Sequence, residues 1–343
     1  MGHAVRTIVQ GMSRSFTKRP LVGLLLLGLI AVVGLQSCLS TYFYDVAIAR
    51  RDKSFLQKSP DLKPAKAAGI AGTAAEAAPP LSIWEEGRAW LDVQAPETVT
   101  LTSDDGLRLQ GYWLAASPAS SRTVILAHGY SADAKSMAVF ARHWVEAQGC
   151  NVLLPDARGH GASEGDYIGF GWPERRDWVR WIQWVDSRVG PASSVVLHGV
   201  SMGGATVMMT SGEADLPRSV KAVVEDCGYT SVRDQLSWNL VRMYKLEPEP
   251  IISDTSRLTR QRAGYSFDEA SALNQVKRAR VPSLFIHGDA DTFVPFDMVQ
   301  RLYAACSSEK ALFVVPGAGH GQSMAVDPQG YWRAVADFTG TYF

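Results

Sequence analysis

The stretch that decides the fold of this chain is Val195-Val196-Leu197-His198-Gly199-Val200-Ser201-Met202-Gly203-Gly204. It opens with an apolar, β-branched run, which is typical of a buried strand. The run breaks at Gly199, presents Ser201 and continues into an apolar segment that suits a helix. Small residues are needed where a strand turns sharply into a helix, because the two elements crowd together there. We therefore expect Ser201 to stand exposed at the end of a strand.

The pattern Gly-x-Ser-x-Gly occurs a second time, at Gly161-Ala162-Ser163-Glu164-Gly165. This copy follows residues 155–160, which do not resemble a strand, and it leads into more glycine instead of a helix. Since the strand–turn–helix context is missing, the sequence predicts that Ser163 lies in a loop.

The composition indicates one large α/β domain with an N-terminal extension, since 343 residues with 46% hydrophobic content can bury a full core. The 34 basic and 34 acidic residues cancel, which gives no electrostatic reason to expect a nucleic-acid partner. The four cysteines lie far apart in the sequence and are predicted to be buried free thiols. Neither a zinc-type His/Cys cluster nor a phosphate-binding Gly-x-x-x-x-Gly-Lys occurs, so we expect no metal, nucleotide or other cofactor.

The N-terminal part of the sequence fits a membrane. Residues 1–20 carry four basic side chains and no acidic one, and an apolar run from Leu21 to Leu35 follows. Together with the aromatic residues at 42–44, which suit a membrane interface, residues 21–44 predict a single-pass anchor. The alternative is a cleaved signal peptide, including a lipoprotein signal with Cys38 at the cleavage site. We expect the domain to lie outside the cytoplasm, membrane-anchored in the first case and secreted or a lipoprotein in the second.

The remaining sequence divides into a linker and one folded domain. Residues 45–82 are predicted to be a linker, because much of this segment is rich in Ala, Pro, Gly and Lys without an apolar period. In the domain, residues 83–343, the segment 97–113 alternates like a β-hairpin, and later apolar runs alternate with helical segments. Residues 228–280 separate two of these runs, so we expect them to form a small helical cap. The predicted fold class is α/β, with a mostly parallel central sheet and helices on both faces.

The chemistry of a serine hydroxyl requires partners, because it is a weak nucleophile at neutral pH and needs a base that a third group holds in place. His320 follows a predicted strand and lies between glycines that let its ring approach a serine, so we predict that it is the base. Three other histidines precede a glycine at a strand end and are predicted to be structural: His128, His198 and His287. The candidates for the acid are Asp289, Asp291 and Asp226.

In their order along the chain, five motifs resemble those of the α/β-hydrolase superfamily, over residues 97–343. They are His128-Gly129-Tyr130, Asp156-x-Arg158-Gly159-His160-Gly161-x-Ser163, Gly199-x-Ser201-Met202-Gly203-Gly204, His287-Gly288-Asp289-x-Asp291-x-x-Val294-Pro295 and Gly319-His320. The resemblance implies that Asp291 is the acid and that Asp289 stabilises the loop. It also implies an oxyanion hole formed by the backbone N–H groups of Tyr130 and Met202. With its N-terminal anchor, the chain is similar to a branch of membrane-anchored bacterial hydrolases related to the serine aminopeptidase-like and acyl-protein thioesterase-like groups.

The residues and the resemblance together lead us to expect a serine hydrolase that cleaves a carboxylic ester or related acyl bond through an acyl-enzyme on Ser201. Aromatic side chains in the loop 166–172 and in the cap favour a small-molecule or lipid-like acyl substrate, with Trp172, Trp238 and Tyr265 as candidate binding residues. Core packing is the alternative role for each of these three. The alternative functions are a peptidase, an acyl-protein thioesterase, or a binding protein that retains the fold without the reaction.

Overall fold

The computed structural model describes residues 38–54 and 82–343, and within them eight strands form one sheet in the order β1-β2-β4-β3-β5-β6-β7-β8. The strands are β1 Glu97–Thr102, β2 Arg108–Leu114, β3 Arg122–Ala127, β4 Asn151–Pro155, β5 Ser194–Val200, β6 Val220–Asp226, β7 Ser283–Gly288 and β8 Lys310–Val315. β1 and β2 form the predicted antiparallel hairpin, and β3 to β8 run parallel to one another. The predicted mostly parallel α/β sheet is therefore confirmed.

Helices cover both faces of the sheet because its central strands are apolar on both sides. Ile125 and Leu197 point into one core cluster, whereas their neighbours Val124 and Val196 point into a second cluster on the opposite face. A strand that alternates in this way between two apolar layers must be covered on both faces. The described helices outside the cap are α1 Ile83–Gln94, α2 Ala138–Glu146, α3 Glu174–Val189, α4 Met202–Ser211, α8 Asp297–Ala305, α9 Ser323–Val326 and α10 Pro328–Thr339.

The segment predicted to be a cap, residues 228–280, connects β6 to β7 by short helical pieces. They are α5 Val232–Asn239, a π-helical turn Leu240–Tyr244, α6 Ile251–Ala263 and α7 Ala272–Val276. α5 is fixed to the loop after β7, since the side-chain amide of Gln235 donates to the carbonyl of Phe293 at 2.9 Å. The cap therefore contacts the loop that carries Asp291.

The N-terminal segment 38–54 packs on the domain instead of leading away from it. Its π-helical turn Tyr44–Ile48 buries both Tyr44 and Ile48 in the main core cluster. The expectation of a linker that begins at residue 45 is therefore wrong for residues 45–53, while residues 55–81 lie outside the described part. Cys38 in this segment is exposed, contrary to the prediction of buried thiols, whereas the other three cysteines are buried.

Most of the predicted anchor, residues 21–37, also lies outside the described part of the chain. Within residues 38–54 and 82–343, no helix combines the length and the apolar character needed to cross a membrane.

Candidate active site

Ser201 lies in a sharp turn between β5 and α4, where its backbone adopts φ 59° and ψ −118°. This left-handed conformation is costly for a non-glycine residue and persists only where the surroundings enforce it. A side chain at Gly199 would overlap the carbonyl of Gly203, and one at Gly203 would overlap the carbonyl of Ala127 in β3. The two glycines thus let strand and helix approach closely enough to hold Ser201 above the end of the sheet.

The structure brings Ser201, His320 and Asp291 into one hydrogen-bonded row. Nε2 of His320 lies 2.8 Å from Oγ of Ser201, and Nδ1 lies 2.8 Å from Oδ2 of Asp291. Oδ1 of Asp291 accepts the backbone N–H groups of Phe293 and Val294, both at 2.9 Å. A hydroxyl, an imidazole and a carboxylate therefore lie within reach of one another, in the order that a serine nucleophile, its base and an orienting acid require.

The other two candidate acids have different partners. Asp289 accepts the N–H of Gly317 at 2.6 Å, which links the loop after β7 to the loop after β8. Asp226 lies at the end of β6 and accepts the hydroxyl of Ser323 at 3.0 Å. Of the three aspartates, Asp291 is the one whose carboxylate meets His320.

Electrostatics keep the carboxylate of Asp291 ionised. Burial alone would raise its pKa, but the charge of His320 and the hydrogen bonds from His287 and His320 hold it below its ordinary value. A negative charge at this point stabilises the imidazolium that forms when His320 takes a proton.

Two backbone N–H groups beside Ser201 are free of protein acceptors within the described residues, those of Met202 and Tyr130. Met202 is the first residue of α4, where helix geometry leaves the N–H without an intrahelical acceptor. Gly129, which precedes Tyr130, lies against the serine, since a Cβ at Gly129 would stand 3.5 Å from Cβ of Ser201. Both N–H groups therefore belong to residues next to Ser201, Met202 along the chain and Tyr130 through the approach of Gly129.

A cavity opens directly at Ser201, with an empty volume of about 810 Å³ including its mouth. Its walls are mostly apolar and come from the cap, from the loop after β7 and from the N-terminal segment 38–54. The lining residues are Phe43, Val46, Ala47, Tyr130, Phe170, Ser201, Tyr229, Gln235, Leu236, Asn239, Leu240, Met243, Tyr244, Ile252, Thr255, Phe267, Phe293 and Val294.

The three side chains predicted to bind substrate do not line this cavity. Trp172 stacks against the guanidinium of Arg175, 3.6 Å from its ring centre. The indole N–H of Trp238 donates to the carbonyl of Thr292, and the Tyr265 hydroxyl donates to the carbonyl of Ile168, both at 2.9 Å. Each side chain therefore has a packing or bracing contact, which is the alternative role expected of it, and the binding role stays a prediction. Sequence reasoning missed Phe43, which was placed in the predicted anchor, and Val46 and Ala47, which were placed in the predicted linker.

The second Gly-x-Ser-x-Gly copy has a structural role, and its serine lies in a loop as predicted. Ser163 is buried, donates to the carbonyl of Asp156 at 2.7 Å and accepts the N–H of Gln110 at 2.9 Å. These bonds fasten the loop after β4 to β2. Its hydroxyl is thus occupied on both sides.

Two of the histidines that precede glycine are buried and structural, as predicted. His128 accepts the N–H of Ala157 at 3.0 Å, and His198 accepts the indole N–H of Trp144 at 3.1 Å. Burial lowers the pKa of His198 to about 3, so this ring remains neutral. His287 is buried and structural as well, since its Nε2 lies 3.0 Å from the carbonyl oxygen of Val294, and the same nitrogen lies 3.4 Å from the carboxylate of Asp291.

A metal centre does not fit the residues of this site. Cys227, Asp291 and His320 each offer one possible ligand atom, and these atoms lie within 4.8 Å of one another. However, both nitrogens of His320 already serve Ser201 and Asp291. Burial and the neighbouring Asp226 and Asp291 raise the pKa of the Cys227 thiol well above its ordinary value, and a protonated thiol is a poor ligand. A metal ion bound here would break the hydrogen bonds of His320 to Ser201 and Asp291.

A mostly parallel sheet with a serine in the turn after β5, followed along the chain by an aspartate and a histidine that contact it, is the arrangement of an α/β hydrolase. The chain belongs to this family, since the model of the Alpha/beta hydrolase family matches residues 124–334.

Individual relatives agree with this membership. The chain is 26% identical to protein YqkD of Bacillus subtilis over 233 residues, 68% of this chain and 75% of that protein. Its fold is similar to that of the Pyrococcus furiosus esterase Pf2001, with a TM-score of 0.57 and 23% identity over 73% of this chain and 93% of the esterase. An acylaminoacyl peptidase shares the fold with a TM-score of 0.54 and 17% identity, over 72% of this chain and 41% of the peptidase.

Proposed function

We propose that this protein is a serine hydrolase that cleaves a carboxylic ester or related acyl bond. The observation that carries the proposal is the row in which His320 lies 2.8 Å from both Ser201 and Asp291. Because the cavity beside Ser201 is mostly apolar, it favours an acyl chain over a charged substrate.

In the proposed reaction, Oγ of Ser201 attacks the carbonyl carbon while its proton passes to Nε2 of His320. Asp291 accepts the Nδ1–H and stabilises the imidazolium. The N–H groups of Met202 and Tyr130 donate to the oxygen that becomes negative in the tetrahedral intermediate. The bond to the leaving alkoxide then breaks and Nε2 returns the proton to it, after which water, activated by the same histidine, releases the acid from Ser201.

Labelling with a fluorophosphonate tests the proposal on the full chain, with Ser201→Ala and Ser163→Ala as a matched pair. We expect Ser201→Ala to abolish both the label and the hydrolysis of p-nitrophenyl esters, because it removes the nucleophile. Ser163→Ala is expected to retain both. A wild-type protein that neither labels nor hydrolyses any ester would refute the proposal and leave the binding-protein alternative.

The same acyl chain presented as ester, thioester and anilide tests the alternatives. We expect the highest kcat/KM for the ester. A higher kcat/KM for the anilide would indicate a peptidase instead of an esterase. A higher kcat/KM for the thioester would indicate a thioesterase.

We also propose that the apolar run within residues 21–37 holds the enzyme on a membrane, with its domain outside the cytoplasm; Phe43 and Tyr44, at the end of the predicted anchor 21–44, pack in the core of the domain instead. Support comes from the apolar run Leu21 to Leu35 and from the basic residues that precede it, since positive charge favours the cytoplasmic side. The test is whether the full chain stays with membranes after an alkaline wash and whether protease added to intact cells degrades the domain. A mature protein that begins at Cys38 or later would instead show a lipoprotein or a secreted enzyme.

A further inference from the structure

We infer that residues 43–53, which we call the strap, form one wall of the acyl pocket and limit the length of the acyl chain that it accepts. The inference rests on the proposed hydrolase function and adds a specificity element to it. The strap lies far ahead of residue 124, where the match to the family begins.

The first half of the strap faces the cavity. Phe43, Val46 and Ala47 line it together with Ser201, although about 150 residues of chain separate them from the serine. The ring of Phe43 packs edge-on against Tyr244 of the cap, with ring centres 5.1 Å apart. The strap therefore supplies part of the cavity wall and contacts the cap, which supplies another part.

The second half of the strap is fastened to the loop 161–168. The N–H of Arg50 donates to the carbonyl of Asp166 at 2.8 Å, and the N–H of Ile168 donates to the carbonyl of Ile48 at 2.7 Å. The guanidinium of Arg50 donates to the carbonyls of Ser163 and Gly161 at 2.7 and 2.8 Å. Backbone bonds and the Arg50 side chain thus fix the strap, so its position does not depend on the apolar contacts alone.

Lys53 stabilises the helical turn that carries the cavity residues. Its ammonium donates to the carbonyls of Ala49, Val46 and Asp45 at 2.9, 2.5 and 3.5 Å. Carbonyls at the end of a helical turn lack intrahelical donors, and a cation satisfies them. Burial of Lys53, with a smaller contribution from Arg51, lowers its pKa to about 8.

The strap also contacts the loop that carries the candidate oxyanion N–H. The hydroxyl of Tyr130 donates to the carbonyl of Ala47 at 2.8 Å, and its ring packs against Phe170 with centres 5.1 Å apart. One residue thus borders the reacting atoms with its backbone and holds the strap with its side chain. A hydrogen bond therefore links the strap to the loop after β3, which carries the candidate oxyanion N–H.

The chemistry of the walls defines the class of acyl group. The lining contains aromatic and aliphatic side chains with a few uncharged polar ones, and no Asp, Glu, Lys or Arg of the described residues is among them. An uncharged hydrocarbon acyl chain suits such a space, since each methylene that enters it is removed from water. The wall that ends the space decides how many methylenes fit.

The test is the kcat/KM of the full-length enzyme for p-nitrophenyl esters from acetate to laurate. Val46→Trp fills part of the cavity and is expected to lower the ratio of kcat/KM for the longest accepted chains to kcat/KM for acetate by about tenfold or more. Phe43→Ala enlarges the space and is expected to shift the optimum towards longer chains. Arg51→Ala serves as control, because this strap side chain is mostly exposed and is not among the cavity-lining residues, so it should leave the profile unchanged.

The two cavity variants change the profile in opposite directions, which separates a changed wall from a damaged fold, since misfolding would lower the acetate activity as well. If both variants label at Ser201 and retain the wild-type profile, the strap inference is wrong and the hydrolase stands. If the wild-type enzyme hydrolyses no ester of the series, the proposed function fails and the inference fails with it.

Discussion

Nε2 of His287 lies 3.4 Å from Oδ2 of Asp291, the same oxygen that accepts a hydrogen bond from His320. Burial alone would lower the pKa of His287, but its hydrogen bond to Asp291 and the charge of that carboxylate outweigh the burial and raise it. Since Oδ1 is held by two backbone N–H groups, both oxygens of Asp291 have fixed donors. The carboxylate therefore cannot turn away from His320.

We predict that Asp291→Asn lowers kcat by about 10⁴-fold, the loss seen when an amide forces the catalytic histidine of a serine protease into the wrong tautomer. The measurement is the steady-state rate of ester hydrolysis. Asp289→Asn is the matched control, because an amide oxygen can still accept the N–H of Gly317. Equal losses in the two variants would contradict the assignment of Asp291.

We predict that Glu225 makes the protein less stable as the pH rises. Burial raises the pKa of Glu225 to about 8, compared with an ordinary value of 4.5. Between these two values the folded chain holds a proton that the unfolded chain has released, so the free energy of unfolding falls by about 1.4 kcal/mol per pH unit. Glu225→Gln removes this contribution, and urea unfolding across that range should show a shallower dependence.

The control for this experiment is Glu86→Gln, which changes an exposed glutamate in the first turn of α1. Its pH dependence should match that of the wild type. If the free energy of unfolding depends on pH equally in Glu225→Gln and in the wild type, Glu225 is ionised in the folded protein and the prediction is wrong.

We predict that Arg158→Met destabilises the fold by about 3–5 kcal/mol, because it leaves a buried carboxylate unpaired. The guanidinium forms two 2.7 Å hydrogen bonds to Asp177, and both side chains are almost fully buried. The control is Arg142→Met, which breaks an exposed pair with Glu146 and is expected to cost about 0.5 kcal/mol or less. Urea unfolding measures both, and similar losses would contradict the prediction.

We predict that Gly203→Ala destabilises the protein by about 2 kcal/mol or more and lowers its activity, since the new methyl would displace the end of β3 from α4. Thermal unfolding and ester hydrolysis measure the two effects. In Gly319→Ala the methyl would meet only the flexible amide of Gln322, at 3.2 Å, and the unfolding temperature should stay close to that of the wild type. If the Gly203→Ala protein is as stable as the Gly319→Ala protein, β3 and α4 can move apart without loss of stability, and the prediction is wrong.

The sheet, and the meeting of Ser201 with Asp291 and His320, could be predicted because the signals are local. A buried strand appears as an apolar run, and a turn that needs a close approach appears as glycine on both sides of Ser201. When such runs alternate with helices, their carboxyl ends lie at one edge of the sheet. Residues that follow different strands, such as Asp291 and His320, are therefore brought together by the topology.

The walls of the cavity could not be predicted in the same way, because residue type does not determine the direction of a side chain in a cap. Trp238 and Tyr265 are aromatic, as expected of a pocket, yet their polar atoms reach backbone carbonyls elsewhere. The aromatic residues at 42–44 have the composition of a membrane interface as well as that of a pocket wall. Only the fold shows that Phe43 lines the same cavity as Ser201.

The strap has a consequence for where the substrate must arrive. Phe43 follows the end of the apolar run at Leu35 by eight residues, and a fully extended chain of that length spans at most about 28 Å. The cavity therefore lies within that distance of the apolar run. If the run lies in a membrane, the substrate must reach the cavity close to the membrane surface. A fragment that begins at Ile83 would carry the serine, histidine and aspartate but would lack one side of the pocket, and its substrate preference would be that of a different enzyme.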